Sequence, residues 1–213
     1  MNSTPTIRAY RPQDREAVRR ICCETADAGK PVENFFRDRD FIADLVTRYY
    51  TDFTPELTQV VEKDGNVVGY LTGCLDTGRQ VRVTAWRILP GALMLAIGRG
   101  VLWQRETWRM LVAALCNGLP SGPPVAEYPA HFHINLLPEA RGAGIGARLV
   151  EEFFARARKA GILGVHVSVR GDNESGCRFF EGLGFVELAR RRMVVPVRGR
   201  RVETVAIVYG KKL

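Results

Sequence analysis

The sequence predicts an α/β fold, in which helices cover a mixed β-sheet, and it predicts one domain over residues 1–213. Segments whose apolar residues alternate with polar ones recur between segments whose apolar residues repeat every three to four positions, as strands and helices do. The composition, with 46% hydrophobic and 25% charged residues, is that of an ordinary globular domain. A chain of this length buries about 70% of its unfolded surface, so it needs neither disulfides nor a structural metal.

The first 77 residues predict a strand, two helices and a β-hairpin. Apolar residues from Ala17 onward share one face of the first helix, which ends near Gly29. Asp64 and Gly65 lie between two β-branched runs, which is a strong hairpin signal. The predicted elements are a strand at 6–10, helices at 12–29 and 38–50, and strands at 57–62 and 67–75.

Residues 78–124 interrupt this order and are predicted to form a helical insertion. They contain six basic residues and one acidic residue. The insertion either forms a lid over an acceptor or packs as a helical hairpin on the domain or on a second copy of the chain, which leaves a homodimer open. Its most apolar stretch, Ile88–Gly98, is interrupted by Pro90 and Gly91 and is shorter than the roughly 20 residues of a membrane span. We therefore expect no membrane span.

Strands and helices alternate again after the insertion. A helix starts at Ile145, carries cations in its last turn and ends at Gly161, as the helix dipole and glycine preferences favour. The predicted elements are a strand at 131–137, this helix, a strand through Val165, Val167 and Val169, a helix from Asn173 to Gly184, and strands at 185–195 and 202–209.

Composition narrows the function class. The five cysteines are odd in number and lack Cys-x-x-Cys spacing, so they fit neither a disulfide framework nor a zinc site. They favour a reducing, cytoplasmic location, and the polar start of the chain indicates a protein that is not exported. The net charge of +8 is regional, and residues 186–213 contribute eight basic and two acidic groups. No zinc-finger or helix-turn-helix pattern accompanies these arginines, so we expect a basic surface rather than nucleic-acid binding.

The turn from Arg141 to Gly146, reading RGAGIG between a strand and a helix, is the most informative segment. Its glycines let the backbone approach an anion, and the free N–H groups of the helix start point at that anion. A pyrophosphate fits this description. A Rossmann turn requires a different glycine spacing and an acidic residue about 20 positions later. A Walker loop requires Gly-Lys-Ser/Thr, which this turn lacks.

Two motifs carry a resemblance to the GNAT superfamily of acyl-CoA-dependent N-acyltransferases. Arg141, Gly144 and Gly146 match its pattern Arg/Gln-x-x-Gly-x-Gly/Ala, and the run 173–185, NESGCRFFEGLGF, resembles its next helix. The resemblance covers nearly all of the chain outside the insertion. It implies a GNAT-like mixed, mostly antiparallel sheet with a splayed parallel strand pair, and acetyl-CoA as co-substrate. The run 128–139, YPAHFHINLLPE, is similar to the acetyltransferase-like domain of O-GlcNAc hydrolases and its bacterial relatives.

The resemblance also implies a set of binding residues. Backbone groups of Leu136 and Leu137 would hold the acyl carbonyl and the pantetheine arm, and Asn173 would contact the pantetheine or the thiol. The tyrosine that often protonates the departing thiolate is replaced by Phe180, which leaves this task to water or leaves the protein without turnover. The pyrophosphate would lie on Arg141, Gly142, Ala143, Gly144, Ile145, Gly146 and Ala147.

Acetyl transfer to an amine requires a base, because an ammonium with a pKa of about 10 must lose a proton before it attacks the thioester. His131 and His133 leave the same face of a strand, and a neutral imidazole suits this task. Each is the base, a relay to it, or a hydrogen-bonded structural residue, and their spacing resembles the His-x-His of arylalkylamine acetyltransferases. Glu127 is a weaker alternative, and His166 is interpreted as a polar residue of the surface or of the sheet. No third ligand follows at a suitable spacing, so a metal site is not expected.

The acceptor is predicted from charge. The resemblance implies that the first two helices wall the acceptor cleft, and the presence there of Asp38, Asp40, Asp44 and Asp52 favours a cationic amine. The basic insertion argues in the opposite direction. The leading hypothesis is an acetyl-CoA-dependent N-acetyltransferase in which a bound primary amine, on a small molecule or a peptide, attacks the thioester directly. The alternative is a catalytically degenerate module that binds acyl-CoA, or a protein partner through the insertion.

Overall fold

The computed structural model describes residues 4–34, 36–105, 107–109, 112–113, 125–142, 144–197 and 200–213. Its centre is a seven-stranded sheet with the order β1-β2-β3-β4-β5-β7-β6. Neighbouring strands are antiparallel, except that β4 and β5 are parallel. The strands are β1 Thr6–Ala9, β2 Gln59–Lys63, β3 Asn66–Cys74, β4 Ala130–Leu136, β5 Gly164–Arg170, β6 Val186–Val197 and β7 Arg200–Lys212.

Helices cover both faces of this sheet, which confirms the predicted α/β fold class. Alternation along β2 divides the core: Val60 packs with apolar residues of the first helix, whereas Val61 packs with the long helix that follows the glycine turn. The helices are α1 Arg15–Thr25, α2 Arg39–Asp52, α3 Thr77–Val83, α4 Leu89–Gly98, α5 Ile145–Lys159 and α6 Glu174–Gly182.

The first part of the insertion is one continuous helical segment, Thr77–Gly98, and this corrects the expectation that Pro90 and Gly91 interrupt it. A π-helical stretch, Thr84–Ile88, joins α3 to α4, and the N–H of Leu89 donates to the carbonyl of Thr84 across its wider turn. This turn lies directly before Pro90 and accommodates the missing N–H of the proline. By length and composition alone, the 22-residue segment could cross a membrane, and only 17% of its apolar 18-residue stretch is buried.

The remainder of the insertion is described only in part. Val101–Trp103 form a short 3-10 turn, and residues 107–109 and 112–113 are helical. Leu111, Leu115 and Cys116 lie outside the described residues.

Candidate active site

The glycine turn positions the first turn of α5 for an anion. Gly142 and Gly144 adopt positive φ angles of 84° and 71°, which side chains other than glycine rarely adopt. Gly144 is the N-cap of α5, and its lack of a side-chain cap leaves the N–H groups of Ile145, Gly146 and Ala147 without intrahelical partners. Ala143 lies outside the described residues. The turn therefore presents adjacent N–H donors at the positive end of the helix dipole, as the sequence predicts.

A cleft of about 750 Å³ opens in front of these donors. The loop after α1 forms its opposite wall, and Lys30 and Arg141 supply positive charge. The Nε of Arg141 donates to the carbonyl of Leu136 at 2.9 Å. The volume, the backbone donors and these cations fit the diphosphate and pantetheine of acetyl-CoA. The lining residues are Thr25, Ala28, Gly29, Lys30, Ile134, Asn135, Leu136, Ala140, Arg141, Gly142, Gly144, Ile145, Gly146, Ala147, Asn173, Ser175, Gly176 and Phe179.

The parallel strands β4 and β5 separate beside this cleft. They pair only at Ala130 with Val165 and at His131 with His166, so the later part of β4 has no neighbour on that side. The N–H of Leu137 donates to the carbonyl of Val68 on β3 at 2.9 Å, and alternation along an antiparallel pair then turns the N–H of Leu136 away from β3. The backbone of Leu136 therefore faces the gap, where an acyl carbonyl could be held.

Leu137, in contrast, is not part of the cleft lining. Its N–H donates to the carbonyl of Val68, and its side chain packs in the core beside α1. Asn173 does line the cleft and is the N-cap of α6, where its side-chain oxygen accepts from the N–H of Gly176 at 3.1 Å. Its side-chain amide is then the group that could reach a ligand.

A second cavity of about 400 Å³ shares Thr25, Gly29, Asn135 and Asn173 with the first and extends toward the sheet. His133 lies in its wall, and Phe180 lies there too, in the position where a tyrosine hydroxyl is absent. The complete lining is Cys22, Thr25, Ala26, Ala28, Gly29, Ile42, Val46, Phe132, His133, Ile134, Asn135, Val167, Ser168, Val169, Arg170, Asn173 and Phe180.

The two predicted histidines are joined by a tyrosine in a chain of hydrogen bonds. The Tyr50 hydroxyl lies 3.0 Å from Nε2 of His133 and 2.7 Å from Nε2 of His131. Nδ1 of His131 lies 2.7 Å from the hydroxyl of Thr77, and this hydroxyl donates to the carbonyl of Pro129 at 2.7 Å. The chain thus runs from the cavity to a buried backbone carbonyl.

The carbonyl of Pro129 determines which group donates and which accepts in each of these hydrogen bonds. A carbonyl oxygen only accepts, so Thr77 must donate to Pro129 and accept from Nδ1–H of His131. Nε2 of His131 then accepts from Tyr50, and Tyr50 accepts from Nε2–H of His133. The unprotonated nitrogen of His133 is therefore Nδ1, for which the described residues provide no hydrogen-bond partner. His133 thus lines the cavity with one unprotonated ring nitrogen, and Tyr50 links its ring to His131.

Both histidines are neutral at pH 7, although His131 is buried and His133 is exposed. Desolvation, followed by the nearby His133 and His166, lowers the pKa of His131 well below its usual value. The ring of His133 is accessible from the cavity, but protein surrounds that cavity, and desolvation together with His166 lowers the pKa of His133 to about 4. Burial also raises the pKa of Tyr50 well above its usual value, so this residue retains its proton.

His166 and Glu127 both lie outside the two cavities. His166 is a buried residue of the sheet, the second of its two interpretations, and its Nδ1 donates to the carbonyl of Tyr128 at 2.7 Å. It is the parallel-strand neighbour of His131, which explains its burial. Glu127 is exposed and pairs with Lys212 at 3.1 Å, outside both cavities. The described residues include no group of three or more His, Cys, Asp or Glu arranged to hold a metal ion.

The lowered pKa values of His131, His133 and His166 predict a stability that depends on pH. Each histidine takes up a proton near pH 6.5 in the unfolded chain but resists it in the fold. Their contribution is present above pH 6.5 and is lost as the pH falls toward about 4. We expect urea unfolding at pH 7.5, 6.5, 5.5 and 5.0 to give a falling free energy, and a flatter profile for His166→Gln. A free energy that is constant from pH 7.5 to 5.0 would contradict this assignment.

Comparison with known proteins places this site in a family. The model of the acetyltransferase (GNAT) family matches residues 113–185, which include β4, the glycine turn and α6. The mycothiol acetyltransferase of Nocardiopsis dassonvillei is 37% identical over 81 residues, which are 38% of this chain and 24% of that protein. The match thus spans about a quarter of the length of this curated relative.

Solved structures extend the similarity to the whole chain. SsHAT is 30% identical, with a TM-score of 0.72 over 99% of this chain and 98% of its own. The fold is also that of yncA from Salmonella typhimurium, solved with its cofactor acetyl-CoA, at 17% identity and a TM-score of 0.58 over 99% and 95% of the two chains. The chain therefore belongs to the GNAT family of acetyltransferases, enzymes that take acetyl-CoA as their co-substrate.

Proposed function

We propose that this protein transfers the acetyl group of acetyl-CoA to a primary amine, which attacks the thioester directly, with His133 as the base. The observation that carries the proposal is the His133 nitrogen Nδ1. His133 lines the second cavity, this nitrogen is unprotonated at neutral pH, and the residue lies on the strand that diverges from β5 beside the glycine turn.

Each group has a separate task in this proposal. Acetyl-CoA supplies an acetyl group activated as a thioester. The first turn of α5 and Arg141 bind the diphosphate, Asn173 contacts the pantetheine arm, and the N–H of Leu136 holds the carbonyl. His133 accepts the proton that the amine nitrogen loses as it bonds to the acetyl carbon, and His131 positions this base through Tyr50. A weak base suffices, since an amine that bonds to carbon becomes strongly acidic.

The four carboxylates that suggested a cationic acceptor are all paired with arginines in the structure. Asp38 accepts two hydrogen bonds from Arg99, Asp44 is paired with Arg19, and Asp52 accepts from Arg15 at 2.8 Å. Asp40 is paired with Arg19 as well. These carboxylates neutralise arginines on the helix surfaces and line neither cavity.

The lining of the second cavity instead favours an amine on an apolar body. Ile42, Val46 and Phe180 belong to it, and the described residues around it include no Asp or Glu. Its one cation, Arg170, is paired with Asp27 and Asp172. An apolar cavity also lowers the pKa of a bound ammonium and so favours the neutral, nucleophilic amine. A polycation would lose its hydration without gaining a counter-charge.

We therefore expect 2-phenylethylamine and hexylamine to be acetylated with a kcat/KM at least about tenfold above that of spermidine or a lysine peptide, as the loss of one desolvated charge contact implies. Thiol release from acetyl-CoA, with mass spectrometry of the acetylated product, measures these rates. A control variant, Ile42→Asp, places a carboxylate in the cavity wall and should shift the preference toward spermidine. Equal or better rates with spermidine in the unmodified protein would contradict the apolar acceptor.

Two narrower proposals accompany this one. The similarity of residues 128–139 to the acetyltransferase-like domain of O-GlcNAc hydrolases is retained as a proposal, and this run contributes Pro129, His131, His133 and Leu136 to the site. A cytoplasmic location is also retained, because the described cysteines are all free thiols and Cys22, Cys23 and Cys74 are buried.

A further inference from the structure

The segment Thr77–Gly98 and the turn after it expose several large apolar side chains, which we call together the insertion face. Trp86 is 81% exposed and Trp103 is 86% exposed. Met94, at 70%, lies between them in the sequence. The other members are Leu93, Leu95 and Ile97. Large apolar side chains that are exposed together in one segment are typical of an interaction site in a folded protein.

The opposite side of the same segment is packed on the domain. Ile88 is buried against Tyr49, Tyr50 and Cys74, and Ala96 is buried in a cluster with residues of α1 and α2. The segment therefore lies along the surface of the domain, and a helix held in this way cannot cross a bilayer without leaving its core contacts. What it can do is present its outer side to a flat apolar layer.

The charges of the insertion select the partner. Within the described part of the insertion, five arginines are exposed: Arg79, Arg82, Arg87, Arg105 and Arg109. A sixth, Arg99, is bound to Asp38, and the one acidic residue of positions 78–124 is Glu106. The insertion therefore combines exposed apolar side chains with exposed arginines.

A second copy of the chain is a poor partner for such a face. A two-fold dimer places the same patch of both copies in contact, so the arginines of one would meet those of the other. An anionic lipid surface meets both features, because Trp and Arg side chains are favoured at the boundary between headgroups and acyl chains. Acidic lipids attract clusters of arginines near that boundary. We propose that the insertion face docks this enzyme on the surface of membranes rich in anionic phospholipid.

Vesicle sedimentation of the full chain tests this proposal. We expect the protein to bind vesicles of phosphatidylcholine with phosphatidylglycerol at least roughly tenfold more strongly than vesicles of phosphatidylcholine alone. Binding should weaken as salt is added. Trp86→Ala with Trp103→Ala should weaken binding to the anionic vesicles about tenfold or more, and so should Arg82→Gln with Arg87→Gln. The fluorescence of the unmodified protein should shift to the blue on binding, as its exposed Trp side chains enter the lipid.

Matched substitutions outside the insertion separate this effect from general changes of the surface. Leu163 is 71% exposed and Lys159 is exposed at the end of α5, so Leu163→Ala and Lys159→Gln should leave vesicle binding unchanged. The affinity of each variant for acetyl-CoA, measured by calorimetry, reports that the domain is folded. Equal binding to both kinds of vesicle, or no binding, overturns the proposal. A dimer in light scattering that dissociates on Trp86→Ala with Trp103→Ala, without vesicle binding, overturns it in favour of a second copy.

Discussion

Replacement of His133 by glutamine is expected to lower kcat for acetyl transfer roughly 100- to 10,000-fold, the range that a general base contributes. The amide keeps the size of the ring but cannot take the proton of the attacking amine. Because His133 lies in the second cavity and does not line the cleft in front of the glycine turn, the affinity for acetyl-CoA should remain within about twofold. Thiol release with 2-phenylethylamine and calorimetry with acetyl-CoA measure the two quantities.

Tyr50→Phe is the companion variant, because it keeps the buried ring and removes only the hydroxyl between the two histidines. Protonated His133 then loses the acceptor of its Nε2–H, and we expect kcat to fall about 10- to 100-fold, as for a hydrogen bond to a charged group. In the unmodified enzyme the base is active while unprotonated. When kcat/KM is expressed per concentration of neutral amine, the acid limb of its pH profile should therefore lie near pH 4 rather than 6.5.

Full activity of the His133→Gln enzyme would show that His133 is not the base. A protein that binds acetyl-CoA yet releases no thiol with any amine would leave only the module that binds acyl-CoA without turnover.

Ala147→Asp is expected to weaken the binding of acetyl-CoA roughly 100-fold. Ala147 is in the first turn of α5 and lines the cleft, so an aspartate there places a carboxylate close to the bound diphosphate. Two like charges about 5 Å apart repel by about 3 kcal/mol at an effective dielectric constant of about 20. The helix itself should tolerate the change, because an acidic residue in the first turn interacts favourably with the dipole.

Ala155→Asp is the matched control, since Ala155 is an exposed position of the same helix outside the cleft. It should leave the affinity within about twofold, and both variants should unfold at similar urea concentrations. Unchanged affinity in Ala147→Asp would mean that the diphosphate binds elsewhere. That result would contradict the proposed binding of acetyl-CoA, on which the mechanism depends. Full activity of His133→Gln would contradict only the assignment of the base.

The sequence was most informative where a signal is local. Each predicted strand and helix of the main domain is present within a few residues, because hydrophobic periodicity and glycine or proline boundaries act over short distances. The glycine turn was predictable for the same reason, as six adjacent residues encode both its positive φ angles and its free N–H groups. His131 and His133 were found as a pair because strand geometry places alternate residues on one face.

Long-range partners were not predictable in this way. Tyr50 is 81 residues from His131, and Thr77 is 54 residues from it, and neither has a local signal that connects it with a histidine. The same limit explains the error on the acidic residues of α2, which were counted without the arginines that neutralise them. The continuous helix at Pro90 depends on a π turn, which has no simple sequence pattern.

The series of hydrogen bonds from His133 ends at the carbonyl of Pro129, so it cannot conduct a proton out of the site. A carbonyl oxygen cannot pass a proton onward, so a proton taken from the amine can travel no farther inward than His131 and must leave through the cavity. The nearest group that needs one at that moment is the departing sulfur of coenzyme A. A single imidazole that first removes and then returns the same proton would make the hydroxyl that Phe180 lacks unnecessary.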